Sequence, residues 1–242
     1  MEEIDENSKF PPIIELNVGG RFFTTTHLTL TKCPDNMLSA MFSGKYSVIK
    51  DKDGRFFIDA DGENFIHILN YLRYGDLPPP QIAETVYREA AYFGIHGLVK
   101  ELEKFPQIMA KIQRNNFRNQ FPGYAECLDL IVKAASVETS SQTSEVKVLI
   151  YSKQVVPQNE NFDMNHKCTC EGMKDTTYTP DAKLGPWKGN STEKDVLNCL
   201  IFDLESQGFT VTSRFHGPCT YVCERICCNR SFYNICFHWW RS

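Results

Sequence analysis

The chain has 242 residues, of which 42% are apolar, 12% aromatic and 23% charged, and its formal net charge is −4 at neutral pH. This composition excludes disorder as the main state and suffices for one large domain or two small ones with workable cores. The near balance of charge gives no support to nucleic-acid binding by phosphate neutralisation, which needs clustered Lys and Arg.

Charge and cysteine are unevenly distributed. Residues 1–104 carry 11 basic and 16 acidic side chains, whereas residues 105–242 carry 15 and 14, so the first part is acidic and the second nearly neutral. Of the ten cysteines, Cys33 alone precedes residue 105. Two different modules are expected. The acidic start, Met1 to Asn7, lacks the basic flank and apolar centre of a secretory signal. No run of about 18 apolar residues could span a bilayer, and motifs for lipid attachment are absent. These readings predict a cytoplasmic or nuclear protein without a membrane span, whose cysteines are reduced thiols or metal ligands rather than disulfides.

The stretch 1–12 reads as a disordered acidic N-terminus. Ile13 to Val18 then alternates apolar and polar after its first residue, and Phe22 to Thr26 is aromatic and β-branched, with Gly19-Gly20 between them: a β-hairpin. A glycine pair that cradles phosphate needs a helix directly after it, and here a strand follows. Asp35 is placed to cap a short helix over Asn36 to Ser43, stopped by Gly44. Arg55 to Asp59 reads as a strand. The following Asp59-Ala60-Asp61-Gly62 fails as a calcium loop, because positions one and twelve would be Phe57 and Ile68; it reads as a turn with a helix cap. Phe65, Ile68, Leu69 and Leu72 form a helical stripe ending near Gly75, and Pro78-Pro79-Pro80 forbids continuation. Ile82, Val86, Ala90 and Phe93 mark a second helix, and Leu98 and Leu102 a third.

Residues 106–137 read as a connector of two short helices broken by Phe121-Pro122-Gly123, the clearest stripe being Leu128, Ile131, Val132 and Ala135. Residues 138–145 are Ser/Thr-rich and read as a flexible linker. Residues 146–242 form a small β-rich domain with strands at Val146 to Tyr151, Phe209 to Thr212 and Phe232 to Trp240. Its one helix is opened by Thr192 to Asp195, carries Val196, Leu197, Leu200, Ile201 and Leu204 on its apolar face, and is closed by Gly208. The fold class is therefore α+β throughout.

Residues 13–105 resemble the T1-type BTB/POZ domain of the potassium-channel tetramerisation-domain (KCTD) family. The matching residues are Leu16 to Gly20, Phe23-Thr24-Thr25, Met41 to Gly44, Phe57-Ile58-Asp59, Phe65, Ile68 to Arg73, Gly75 to Pro78 and Glu89 to Phe93. Further on, Pro122-Gly123-Tyr124, Gly185-Pro186-Trp187, Phe209-Thr210-Val211 and Trp239-Trp240 resemble the branch holding members seven and fourteen, closer to fourteen. The resemblance implies a cytosolic, non-enzymatic homo-oligomer, a pentamer in many members, assembled through the BTB module. It also implies a substrate adaptor of a cullin-3 RING ubiquitin ligase, with the C-terminal domain choosing a target that the sequence does not name. The alternative it implies is an oligomeric accessory regulator of membrane channels, receptors or transporters without ubiquitin chemistry.

No cofactor and no catalytic residue is expected: His96, His216 and His238 have no local signature that pairs any of them with a nucleophilic cysteine. The metal candidates are Cys219, Cys223, Cys227 and Cys228, with His216 upstream and Cys168 and Cys170 elsewhere. On a single strand, a four-residue step separates thiols by roughly 13 Å, too far to share a tetrahedral zinc, and Gly217-Pro218 opposes a long regular element. Reduced thiols in or near a core are the preferred reading. The aromatic cluster Phe232, Tyr233, Phe237, Trp239 and Trp240 belongs to a core or edge strand, and Trp239 or Trp240, if exposed, marks a partner interface.

Overall fold

The computed structural model describes residues 10–137, 141–152, 180–218, 222–223, 226–227 and 231–240. The chain divides into two compact units, Met1–Ile112 and Gln113–Ser242, each with its own core.

In the first unit, β1 (Ile13–Val18) and β2 (Arg21–Thr26) form the expected hairpin, and β3 (Phe56–Ile58) adds parallel to β1, giving the order β2-β1-β3. The turn requires glycine at position 19: its φ is +53°, and a Cβ there would stand 2.3 Å from the Ala60 carbonyl oxygen. Ile14, Leu16 and Val18 point to the core in the alternation that the sequence shows. Around them lie α1 (His27–Thr31), α2 (Met37–Met41), α3 (Gly62–Tyr74), a 3-10 turn (Pro80–Ile82), α4 (Ala83–Phe93), α5 (His96–Leu102) and α6 (Pro106–Arg118), the last carrying the division between the units. Asp61 caps α3 and Gly75, in the left-handed region, ends it. Phe65, Ile68, Leu69 and Leu72 are all buried, each contributing about 2 kcal/mol of apolar burial.

Two local expectations change. The cap of α2 is Asn36, whose side chain accepts from the Ser39 amide at 2.9 Å, while Asp35 takes the left-handed conformation (φ 61°) that turns the chain into the helix. Phe10, inside the stretch expected to be disordered, is buried, with its ring 5.2 Å from Phe42 and 5.4 Å from Phe56.

The second unit contains α7 (Tyr124–Ala135), β4 (Thr143–Ile150), β5 (Ala182–Leu184), α8 (Glu193–Ser206), β6 (Val211–Pro218), β7 (Val222–Cys223), β8 (Ile226–Cys227) and β9 (Ser231–His238). Its main sheet runs β5-β4-β9-β6; β5 is parallel to β4 and the other pairs are antiparallel. One face, carrying Val146, Val148, Ile150, Tyr233, Ile235 and Phe237, packs against Ile131 and Ala135 of α7 and Val196, Leu200 and Leu204 of α8. The α7 stripe read in the connector thus belongs to this core. The end of the Ser/Thr-rich linker is strand: Thr143, Ser144 and Glu145 pair with His238, Phe237 and Cys236, since packing against a partner strand outweighs the local strand propensity of such residues. Thr192 and Asp195 cap α8 reciprocally.

Candidate interaction surfaces

The first unit keeps several large apolar side chains outside its core. On the outer face of its sheet, Ile13 and Phe22 are exposed, and the Arg55 guanidinium lies 4.3 Å from the centre of the Phe22 ring. Arg55 also meets Asp53 at 2.7 Å. Asp51 accepts from the Asn17 side chain and from the Asp53 and Arg55 amides, each at 2.9 Å. These donors, Asn17 first, hold the Asp51 carboxyl below the ordinary carboxylate range. The result is a mixed patch of aromatic, cationic and fixed anionic groups, suited to a protein partner rather than to a small molecule. A groove of about 1110 Å³ beside α1 and α2 is lined by Phe10, His27, Met37, Phe42 and Tyr46. There His27 donates from Nε2 to the Phe42 carbonyl at 2.8 Å, and Tyr46 is exposed at its rim.

In the second unit one polar cluster is internal. Asp203 is buried on α8 and receives both Arg118 (Nε at 2.7 Å, and Nη2) and the Tyr124 hydroxyl at 2.8 Å. Burial pushes the Tyr124 hydroxyl pKa well up, with Cys199 and Asp203 reinforcing it, so Tyr124 remains a donor. This cluster ties the end of α6 and the start of α7 to α8. Sequence reading missed it, although the signal was present: Asp203 stands three residues after Leu200 on a stripe otherwise apolar. Next to it, a groove of about 540 Å³ between α6 and α8 is lined by Phe117, Gln120, Asn198, Cys199 and Phe202, with Arg114 4.8 Å over the Phe202 ring.

The two candidate tryptophans differ. Trp239 stacks on Phe237 (5.6 Å between ring centres), and its Nε1 donates to the buried Ser144 hydroxyl at 2.7 Å; it holds the ends of β4 and β9 together. Trp240 is 55% exposed. The outer face of the same sheet carries Glu145, which receives Arg214 and, at 3.0 Å, the buried Asn234 amide, with His216 3.4 Å from that amide.

Of the metal candidates, Cys219 and Cys228 lie outside the described residues, as do Cys168 and Cys170. Cys223 and Cys227 stand on two paired strands, in the register Val222↔Cys227 and Cys223↔Ile226, rather than along a single one. Among the described residues no three His, Cys, Asp or Glu side chains come close enough to hold an ion. His96 opens α5, and His238 ends β9 with its Nε2 3.1 Å from the Thr212 hydroxyl.

A helix-covered β2-β1-β3 unit followed by an independent sheet-and-helix unit defines a BTB-domain protein with a C-terminal module of its own. The BTB/POZ domain model matches residues 14–102 and the KCTD C-terminal domain model matches residues 112–239, the second beginning at the division between the units. The chain belongs to the KCTD family, in the branch of member fourteen. It is 38% identical over 230 residues to the BTB/POZ domain-containing protein KCTD14 of Homo sapiens, covering 94% of this chain and 87% of that protein. KCTD21 of Mus musculus is 40% identical over 109 residues, 44% of this chain and 42% of its own. SH3KBP1-binding protein 1 of Bos taurus is 39% identical over 118 residues, 47% of this chain and 16% of its own. This membership supports an oligomerising BTB-domain protein. Among the described residues no helix is long and apolar enough to cross a membrane.

Proposed function

We propose that the protein is a non-catalytic homo-oligomeric adaptor that acts in the cytoplasm. Its BTB unit assembles a pentamer and contacts cullin-3, and its C-terminal unit recruits a target for ubiquitination. The observation that carries this reading is the match to two successive domain models, each falling on a unit with a separate core. An adaptor requires one surface for assembly and another for its target, and no reacting group. The Phe22–Arg55–Asp51 patch and the groove beside α1 and α2 supply surface on the BTB unit, and Trp240 supplies an aromatic anchor on the other. A ring would also raise the effective concentration of five target sites.

Co-purification of the full chain with the N-terminal part of cullin-3 tests the reading. A stable complex is expected, and its absence at tens of micromolar would leave the accessory-regulator reading in its place. In that case a partner's amount would not change in a proteasome-dependent way.

A further inference from the structure

Edge strands expose unpaired main-chain groups that template strand addition, and folded proteins usually blunt them. In the first sheet, Arg73 donates to the outward Thr24 carbonyl of β2 at 2.8 Å. The far side of β3 is closed by the 49–50 segment, through Phe57 N to Ile49 O at 2.9 Å and a bridge between Lys50 and Phe56. In the second sheet, β5 offers three residues. β6 is eight residues long, and among the described residues it neighbours β9 alone.

Ladder alternation shows which β6 groups are open. His238 N donates to Thr210 O at 2.8 Å, so Thr212↔Cys236 and Arg214↔Asn234 are the hydrogen-bonded pairs of the β6–β9 ladder. Trp239 N to Gln142 O, on the other side of β9, gives the same parity. The N–H and C=O of Val211, Ser213 and Phe215 therefore point away from β9, and among the described residues no hydrogen bond reaches them. Ser213 is exposed and Phe215 is 59% exposed.

We propose that this edge pairs antiparallel with the same edge of a second copy of the chain, about a two-fold axis at Ser213. The edge is apolar on both sides of that axis, at exposed Phe215 and at Val211, which is itself packed into the core of its unit. Pairing about Ser213 sets Phe215 beside the second copy's Val211 on the helix-covered face, and Arg214 beside its Thr212 on the other. Apolar then meets apolar, and guanidinium meets hydroxyl rather than guanidinium. With three residues, β5 is too short to match β6. Such a self-complementary contact differs from the head-to-tail contacts of a ring; it would join assemblies in pairs and does not depend on cullin-3 binding.

Native mass spectrometry of the full chain, with hydrogen exchange at the β6 amides, tests this. Ser213→Pro removes an outward N–H that β9 does not use, a position where a strand tolerates proline. It should halve the number of chains in the assembly, and Phe215→Asp should do the same by a route that leaves the backbone intact. In the unmodified protein the Ser213 and Phe215 amides should exchange at least about tenfold more slowly than those of an open strand. Chain numbers that neither variant changes would overturn the proposal, and so would open-strand exchange rates in the unmodified protein. Protected amides with unchanged chain numbers would equally overturn it, because a different segment or partner would then occupy the edge.

Discussion

At the scale of single residues, the buried polar cluster separates what holds the second unit together from what its surface offers. Asp203→Ala leaves the Tyr124 hydroxyl and most of the Arg118 guanidinium without their acceptor. The expected cost is about 2–4 kcal/mol, read as a lower urea midpoint at unchanged slope. Trp239→Ala should cost about 2–3 kcal/mol through lost packing and the lost bond to Ser144, whereas Trp240→Ala should leave the thermal midpoint unchanged; a comparable fall for both would remove Trp240 as a surface anchor. Cys127 gives a pH signature. Burial pushes its thiol up to about 12, above its unfolded value of about 8.5. The stability this buried thiol contributes is complete below the unfolded pKa and declines as pH rises toward 12. Thiol labelling at pH 8 should therefore reach Cys127 only after unfolding.

At the scale of elements, the hairpin, α3, α4, α5 and α8 were legible in the sequence because each has a regular apolar period and its own stop signal. The exceptions have physical causes. Asp35 and Asn36 are both capping residues, and only the backbone turn at Asp35 decides which of them caps α2. The helix α1 is a five-residue element rich in Thr that composition cannot separate from the strand before it. The α7 stripe was visible, but its partners Val148 and Ile150 are distant in sequence, so a core helix read as a connector. The cap of α8 makes a prediction. The Thr192 hydroxyl and amide hold the Asp195 carboxyl below its ordinary value. Its contribution is present above the unfolded pKa and lost as pH falls through the lower folded one. Asp195→Asn should flatten that part of the acid-side stability profile, and Thr192→Ala should cost about 1 kcal/mol; an unaltered acid limb in Asp195→Asn would contradict the assignment.

At the scale of the whole molecule, the near-neutral charge of the chain is an average over an acidic BTB unit and an almost neutral C-terminal unit, and the cysteines belong almost entirely to the latter. The two-unit organisation could be read from composition and motif order. The candidate surfaces could not, because they depend on which apolar side chains folding leaves outside: nothing in the residue types distinguishes exposed Phe22 and Trp240 from half-buried Phe23 and buried Phe237. The most direct test of the adaptor reading is native mass spectrometry of the full chain with and without the N-terminal part of cullin-3. The account predicts a chain number that is a multiple of five, and an increase in mass by whole cullin-3 fragments when these are added. A chain number that is not a multiple of five, or a mass that cullin-3 leaves unchanged, would contradict it.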